Sequence, residues 1–191
     1  LKSTWQAMQQ DSLKKLEAEN LSESEQRAII KQLKSKATSS MGVALTYVLL
    51  SLNRENTTLT LRDFPEMLSN LCLAGMDFSL SWISKTSMDL SNLVFENADF
   101  RAANLQTVNF QKSSFLMGSL QDAILIGNKN LQGTMLFGTN LKNADLYGSN
   151  LEQAVLQAVN LQNARLSKCG FTWEQLEYNF CSSAKIHLND F

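Results

Sequence analysis

From residue 90 onward a leucine or phenylalanine recurs every fifth position, at Leu90, Phe95, Phe100, Leu105, Phe110, Phe115, Leu120 and Leu125. After one extra residue the series resumes at Leu131, Leu136, Leu141, Leu146, Leu151, Leu156, Leu161, Leu166 and Phe171. No regular secondary structure has this period. On an α-helix of ~3.6 residues per turn each step rotates the side chain by roughly 140°, which scatters the apolar groups around the cylinder. On a straight strand side chains alternate, so odd steps send successive leucines to opposite faces. A short extended piece followed by a bend, repeated, keeps them all on one side.

The rest of each unit fits that path. Two residues before the large one the side chain is small, as at Ala98, Ala103, Ser113, Gly118, Ala123, Thr134, Thr139, Ala144, Ser149, Ala154, Ala164 and Cys169. A spacing of two puts it on the same side as the leucine. Between them stands an Asp or Asn that points outward, at Asp99, Asn104, Asn109, Asn130, Asn140, Asp145, Asn150 and Asn160. The next two residues turn the corner, with glycines assigned there at Gly118, Gly127, Gly133, Gly138 and Gly148. No proline follows Pro65, so nothing blocks ladder bonds between stacked turns.

These units, clearest in Ala98-Asp99-Phe100, Ala103-Asn104-Leu105 and Ala144-Asp145-Leu146, resemble the pentapeptide-repeat family over roughly residues 71 to 171. The resemblance implies a mainly β fold: a right-handed quadrilateral β-helix with four units per coil, large residues at the centre and small ones beside them. At the ~4.8 Å separation of paired strands, the regular region would make a rod of about four to five coils, roughly 20 to 25 Å long.

The register has two departures. Ile126-Gly127-Asn128-Lys129-Asn130 carries one residue too many and reads as a bulge. Before Leu90, Leu73, Phe78, Ile83 and Met88 keep five-residue spacing in another phase, and a loop near residues 84 to 94 is expected to absorb the mismatch. Residues 1–66 lack the repeat and form an α-helical N-terminal segment or cap. Thr4 to Asn20 reads as a helix with Trp5, Met8 and Leu16 on one face. Ser22 and Glu25 form a capping box for a second helix bearing Ile29, Ile30 and Leu33. Met41, Ala44, Leu45, Val48, Leu49 and Leu52 line a third, and Pro65 opens a short fourth. Residues 67–171 are the β-helix. Residues 172–191 are a capping helix and tail, with Thr172 and Gln175 as a capping box and Trp173, Leu176 and Phe180 laid over the last coil.

Composition narrows the function. From Leu68 to Phe191 there are ten acidic and eight basic side chains, a difference of two. No basic stripe suggests nucleic acid. The longest apolar run, Met41 to Leu52, is too short for a bilayer that needs ~20 residues, so no integral membrane segment is expected. Cys72, Cys169 and Cys181 have no metal-site spacing, and Cys169 reads as a small reduced filler. The single histidine, His187, has no placed nucleophile or carboxylate beside it. The reading is therefore a non-enzymatic chain with no catalytic, cofactor-binding or metal-binding residues. The first residue is leucine, so a processed or partial chain is expected.

That leaves the outer walls. The units centred on Phe95, Phe115, Leu136 and Leu156 stack on one wall, whose outward or corner residues include Val94, Leu116, Met117, Met135, Phe137 and Val155. An exposed apolar strip of this kind marks a binding surface, unless the N-terminal helices cover it. Ile124, Ile126 and Tyr147 give a weaker signal two walls on. The function expected is a protein–protein interaction module, with another protein or a second copy as partner. The family resemblance adds an effector-like layout in a bacterium, cytoplasmic or secreted into a host cell. It also adds DNA mimicry toward gyrase, which the weak acidity opposes. A third reading is the non-catalytic targeting part of a larger enzyme.

Overall fold

Single-residue parallel bridges join each unit to the one four places further on: Val94 to Ser114, Asp99 to Ser119 and Asn104 to Ile124. Four units of five residues make one turn, so the chain returns to the same wall once per coil. The computed structural model describes residues 2–18, 20–52, 60–79, 88–127 and 130–176. Wall one holds the units centred on Phe95, Phe115, Leu136 and Leu156, with bridges from Val94 through Ser114 and Met135 to Val155. Wall two runs from Cys72 through Asp99, Ser119 and Asn140 to Asn160. Wall three runs from Asp77 through Asn104, Ile124 and Asp145 to Arg165. Wall four pairs Asp89 with Asn109 and continues to Asn130, whose carbonyl accepts the Phe110 N–H.

The expected mainly β class needs one correction: among the described residues the walls are ladders of isolated bridges, with no longer strand. The corners explain this, because each consumes most of a five-residue unit. The N–H three residues after one centre returns to that centre's carbonyl, as Ala98 does to Phe95 and Ala144 to Leu141. The second residue past the centre has positive φ, for example Asn97 at 54°, Met117 at 56°, Gly138 at 66° and Asn143 at 58°. Such a φ is what the third position of a type II turn requires. Of the two places the sequence reading gives Gly118, the structure keeps the small inward slot and not the corner. Gly118 lies buried two before Leu120, where a Cβ would sit a tight 3.0 Å from the Ala98 carbonyl oxygen.

The outward Asp and Asn also act at the corners. Their Oδ1 accepts the backbone N–H two residues on, from Ser91 to Asp89, Arg101 to Asp99, Gln111 to Asn109, Lys142 to Asn140, Tyr147 to Asp145 and Glu152 to Asn150. This local bond is the reason the slot favours those two residue types. Inside, the leucines and phenylalanines of the five-residue series from Leu90 to Phe171 are buried together with the small residues two before them. The small hydroxyls need partners there, and Ser113, Thr134, Thr139 and Ser149 each donate to a core carbonyl. Phe95, Phe100, Phe110 and Phe115 form a mutually packed aromatic cluster with centroids 4.9 to 6.1 Å apart.

The single extra residue is real: bridges spanning it, such as Ser114 to Met135, are one residue longer than their neighbours. Before Leu90 the mismatch is larger. Asp77 and Asp89 pair with Asn104 and Asn109, so twelve residues in one coil face five in the next and seven are extra. The insertion therefore falls between Phe78 and Met88, overlapping only the start of the expected 84 to 94 loop, and Asp89 to Val94 are already in register. Met88 is buried as the residue two before Leu90, not as a centre. Ile83 lies outside the described residues.

Three helices precede the coil: α1, Lys2–Leu16; α2, Glu23–Ala37; and α3, Ser40–Ser51. The buried face of α1 is Trp5, Gln9, Ser12, Leu13 and Leu16, while Met8, assigned to that face from sequence, is exposed. Helix α2 opens on the Ser22–Glu25 capping box and buries Ile29 and Leu33. Leu45 and Leu49 of α3 join the same core. A 3-10 turn, Leu61–Asp63, leads to α4, Pro65–Leu68, with proline in the first turn. At the far end α5, Trp173–Leu176, is brief. Trp173 is exposed rather than laid over the last coil; Gln175 reaches the coil instead, its Nε2 donating to the Leu151 and Ala154 carbonyls. Phe180 and the Leu176 side chain lie outside the described residues. No helix among the described residues is long and apolar enough to cross a membrane.

Candidate interaction wall

Three of the four walls are occupied by polar bonds or by the helices. On wall four the Asn109 amide donates to Asp89 at 2.9 Å, and Gln111 donates to Gln132, which donates to Glu152. At the corner between walls two and three a second ladder runs from Gln26 of α2 to Asp122, with Asn143 donating to Asp122 and Asn163 to Asn143. Helix α2 follows this corner. Gln26 sits at the level of Asp122 and Leu33 at that of Gly75, where a Cβ would lie 2.6 Å from the Leu33 carbonyl carbon. Seven helical residues rise about 10.5 Å, close to two coil spacings of about 4.8 Å.

Wall two is tied to α1. Arg101 binds Asp99 at 2.6 Å, Glu17 at 3.1 Å and the Leu13 carbonyl. Burial works against its charge, but Asp99 and Glu17 outweigh that effect and hold its pKa above the ordinary arginine value. Burial pushes the Cys72 thiol up to about 11, with Asp99 adding to the shift, so it stays protonated and inert at neutral pH. Burial also raises the Asp122 carboxyl, against the hydrogen bonds it accepts.

Wall one carries its backbone bridges but, among the described residues, neither a polar side-chain ladder nor α1 or α2. Val94 is 48% exposed, Met117 59%, Met135 43% and Phe137 40%, with Leu116 and Val155 half-buried. All six residues of the sequence-derived strip thus lie on one side of the coil, in register through the Val94, Ser114, Met135 and Val155 bridges. Their centre is built by close packing. The Met117 thioether lies over Gly138, where a Cβ would come 2.4 Å from the sulfur, and the Met117 N–H donates to the Phe137 carbonyl. Glu96, Asn97 and Gln157 bound the patch above and below. Of the N-terminal helices, one expected cover for this strip, α1 contacts wall two and α2 the corner between walls two and three, while the segment carrying α4 meets the coil at the Ser91 and Glu96 carbonyls, at the front end of wall one.

Sequence reasoning missed one signal that was available. In the outward slot, wall four has Asp89, Asn109, Asn130 and Asn150, whereas wall one has Val94, Ser114, Met135 and Val155. The Asp/Asn corner bond is given up on this wall in every coil. Chemically the strip offers thioether, phenyl and branched aliphatic surface without a charge at its centre, suited to an apolar anchor of another protein. On wall three Tyr147 is half-buried beneath Arg165 and Lys168, whose cations lie 4.4 and 5.5 Å from its ring centroid, and Arg165 also pairs with Asp145. Tyr147 in the weaker strip is therefore occupied, while Ile124 and Ile126 are half-buried. Among the described residues no group of three His, Cys, Asp or Glu side chains could hold a metal ion, and His187 lies outside them.

A family model described as pentapeptide repeats, in eight copies, matches residues 86–115, 119–153 and 136–172. Among solved structures, the chain is similar to a pentapeptide repeat protein from the Arabidopsis thaliana thylakoid lumen, at 20% identity and TM-score 0.37, covering 58% of this chain and 72% of that one. It is similar to Rfr23, a pentapeptide repeat protein from the cyanobacterium Cyanothece 51142, at 21% identity and TM-score 0.30, covering 64% and 84%. It is also similar to QnrB1, a plasmid-mediated fluoroquinolone resistance protein, at 14% identity and TM-score 0.26, covering 63% and 79%. No curated protein matches the chain in sequence.

Proposed function

From the premise that this chain belongs to the pentapeptide-repeat family, we propose that it is a non-enzymatic interaction module whose rod presents wall one to a protein partner. The observation that carries this reading is the coincidence of two choices on one wall. The Asp/Asn corner bond is abandoned there, and apolar side chains stand exposed in its place. In this reading residues 67–171 are the working rod, a right-handed quadrilateral β-helix; residues 1–66 are an α-helical segment or cap, with α1 braced on wall two and α2 on the corner beyond it; and residues 172–191 are a capping helix and tail. An effector-like role in a bacterium is one setting for such a module, as is the non-catalytic part of a larger enzyme. Gyrase protection by DNA mimicry is not favoured, because ten acidic against eight basic residues from Leu68 onward make too weak a field to replace a phosphate backbone.

The test is the double substitution Met135→Ser with Phe137→Ser, compared with Gln111→Ser and Gln132→Ser on wall four. Both variants should unfold within about 1 kcal/mol of the parent, since surface changes cost little. Pull-down with the parent should recover a partner that the wall-one variant loses and the wall-four variant keeps. Loss in both variants, or in neither, would remove wall one from the reading. A gyrase supercoiling assay unaffected by the chain would exclude the mimicry alternative.

A further inference from the structure

We propose that α1 conceals a strand edge at the front of the coil, and that when α1 lifts, this edge adds a second copy of the chain head to tail. Inside the coil each wall-two unit receives two backbone donors from the coil before it: the Leu73 N–H reaches the Asp99 carbonyl and the Gly75 N–H reaches that of Arg101. In the first coil the corresponding carbonyls belong to Cys72 and Ala74. They accept side chains of α1 instead, Trp5 Nε1 at 2.8 Å and Gln9 Nε2 at 3.0 Å, while Gln6 Nε2 reaches the Asn70 carbonyl at 2.6 Å. The spacings match. Four helical residues rise about 6 Å, close to the spacing of two backbone donors that flank a centre residue at the start of its corner, so positions i and i+4 of a helix imitate the donors of a missing coil.

Three features make the α1 seat releasable. The Gln9 side chain is wholly buried, yet its Oε1 has no partner. A solvent-open cleft of about 750 Å³ along the seam between α1 and wall two is lined by Ser3, Gln6, Gln10, Lys14, Asn97 and Arg101 among others, so water reaches the edge of the contact. The pair that clasps the end of α1, Arg101 with Glu17, is exposed on the glutamate side.

The occupant is argued from the last coil. Leu141 and Asn143 on wall two donate their N–H groups to the Asn160 and Gln162 carbonyls. One coil later Leu161 and Asn163 hold the same positions, and among the described residues their N–H groups make no backbone bond. A second copy therefore offers, two residues apart, the donors that Trp5 and Gln9 imitate. Contacts of this kind extend rather than close.

The experiment uses the full chain with Trp5→Phe and Gln9→Leu, which keep bulk but remove both donors, followed by sedimentation velocity at rising concentration. The variant should form species of two copies and more at concentrations where the parent does not change size. Adding Met135→Ser and Phe137→Ser should leave that assembly intact; assembly that disappears with them runs through wall one and overturns the edge proposal without touching the proposed function. A folded variant no more associated than the parent overturns it too. If the variant does not fold, amide exchange on the parent decides: Leu13 and Leu16 must exchange faster than Leu120 and Leu141, and equal protection means that α1 never lifts separately.

Discussion

Walls one and four follow the same backbone path with opposite chemistry in the outward slot. On wall four Asp89, Asn109 and Asn150 bond their own corners, and Asn109 bonds Asp89 across coils. On wall one Val94, Met135 and Val155 have no side-chain oxygen to offer, yet the bridges continue through them. The difference separates what the coil needs from what it merely uses. It needs the buried stack and the bonds between coils; the Asp/Asn bonds reinforce corners that form without them. Apolar residues in the outward slot of wall one are thus not demanded by the fold.

The strongest challenge to that comparison addresses the inside, where the two walls should be equal. Leu151→Asp on wall four and Leu156→Asp on wall one place a charge where both leucines are buried. Each should cost more than the about 2–5 kcal/mol of a leucine truncation and abolish cooperative melting. A variant melting like the parent would refute the inward assignment for its wall. The outward slot gives a smaller contrast. Asn109→Val removes the acceptor for the Gln111 N–H and the donor to Asp89, and should cost about 1–2 kcal/mol in denaturant unfolding. Val94→Asn should be neutral or slightly stabilising, because it restores the corner acceptor; equal losses from both swaps would erase the distinction between the walls.

The smallest effect concerns the polar corner between walls two and three. Asp122 has its pKa raised on folding, so its ionised form carries a penalty above the folded value that is relieved as pH falls through it. Asp122→Asn keeps an acceptor for Gln26 and Asn143 and suits the positive φ of 59°. It should match or exceed parental stability at neutral pH by less than about 1 kcal/mol, and the gap should narrow on acidification. A gap that widens would reverse the assigned direction.

The coil was legible because its signal is local and repeated: every unit reports the same centre, small neighbour and corner. The six residues of wall one followed from counting four units per coil and allowing for the extra residue near Gly127. The sequence could not place the front insertion correctly, because Met88 is large enough to pass for a centre while packing in the small slot. Nor could it show which wall the helices occupy. That depends on single long-range contacts, such as Gln26 with Asp122 and Trp5 with the Cys72 carbonyl, which leave no periodic trace. Trp173 misled for a related reason: hydrophobicity suggested burial, whereas the bonds to the last coil come from the amide of Gln175.

The phenylalanine cluster is unevenly placed along the axis. Phe95, Phe100, Phe110 and Phe115 fill the coils nearest the helices, while from Leu120 to Leu166 the centre is leucine throughout. In a solenoid each turn leans only on its neighbours, so cohesion is graded like the stack itself. Within the coil itself the packing is richest near the head, so heat or mechanical load should unravel the rod from its foot, leaving the aromatic hub as the last part of the coil to give way.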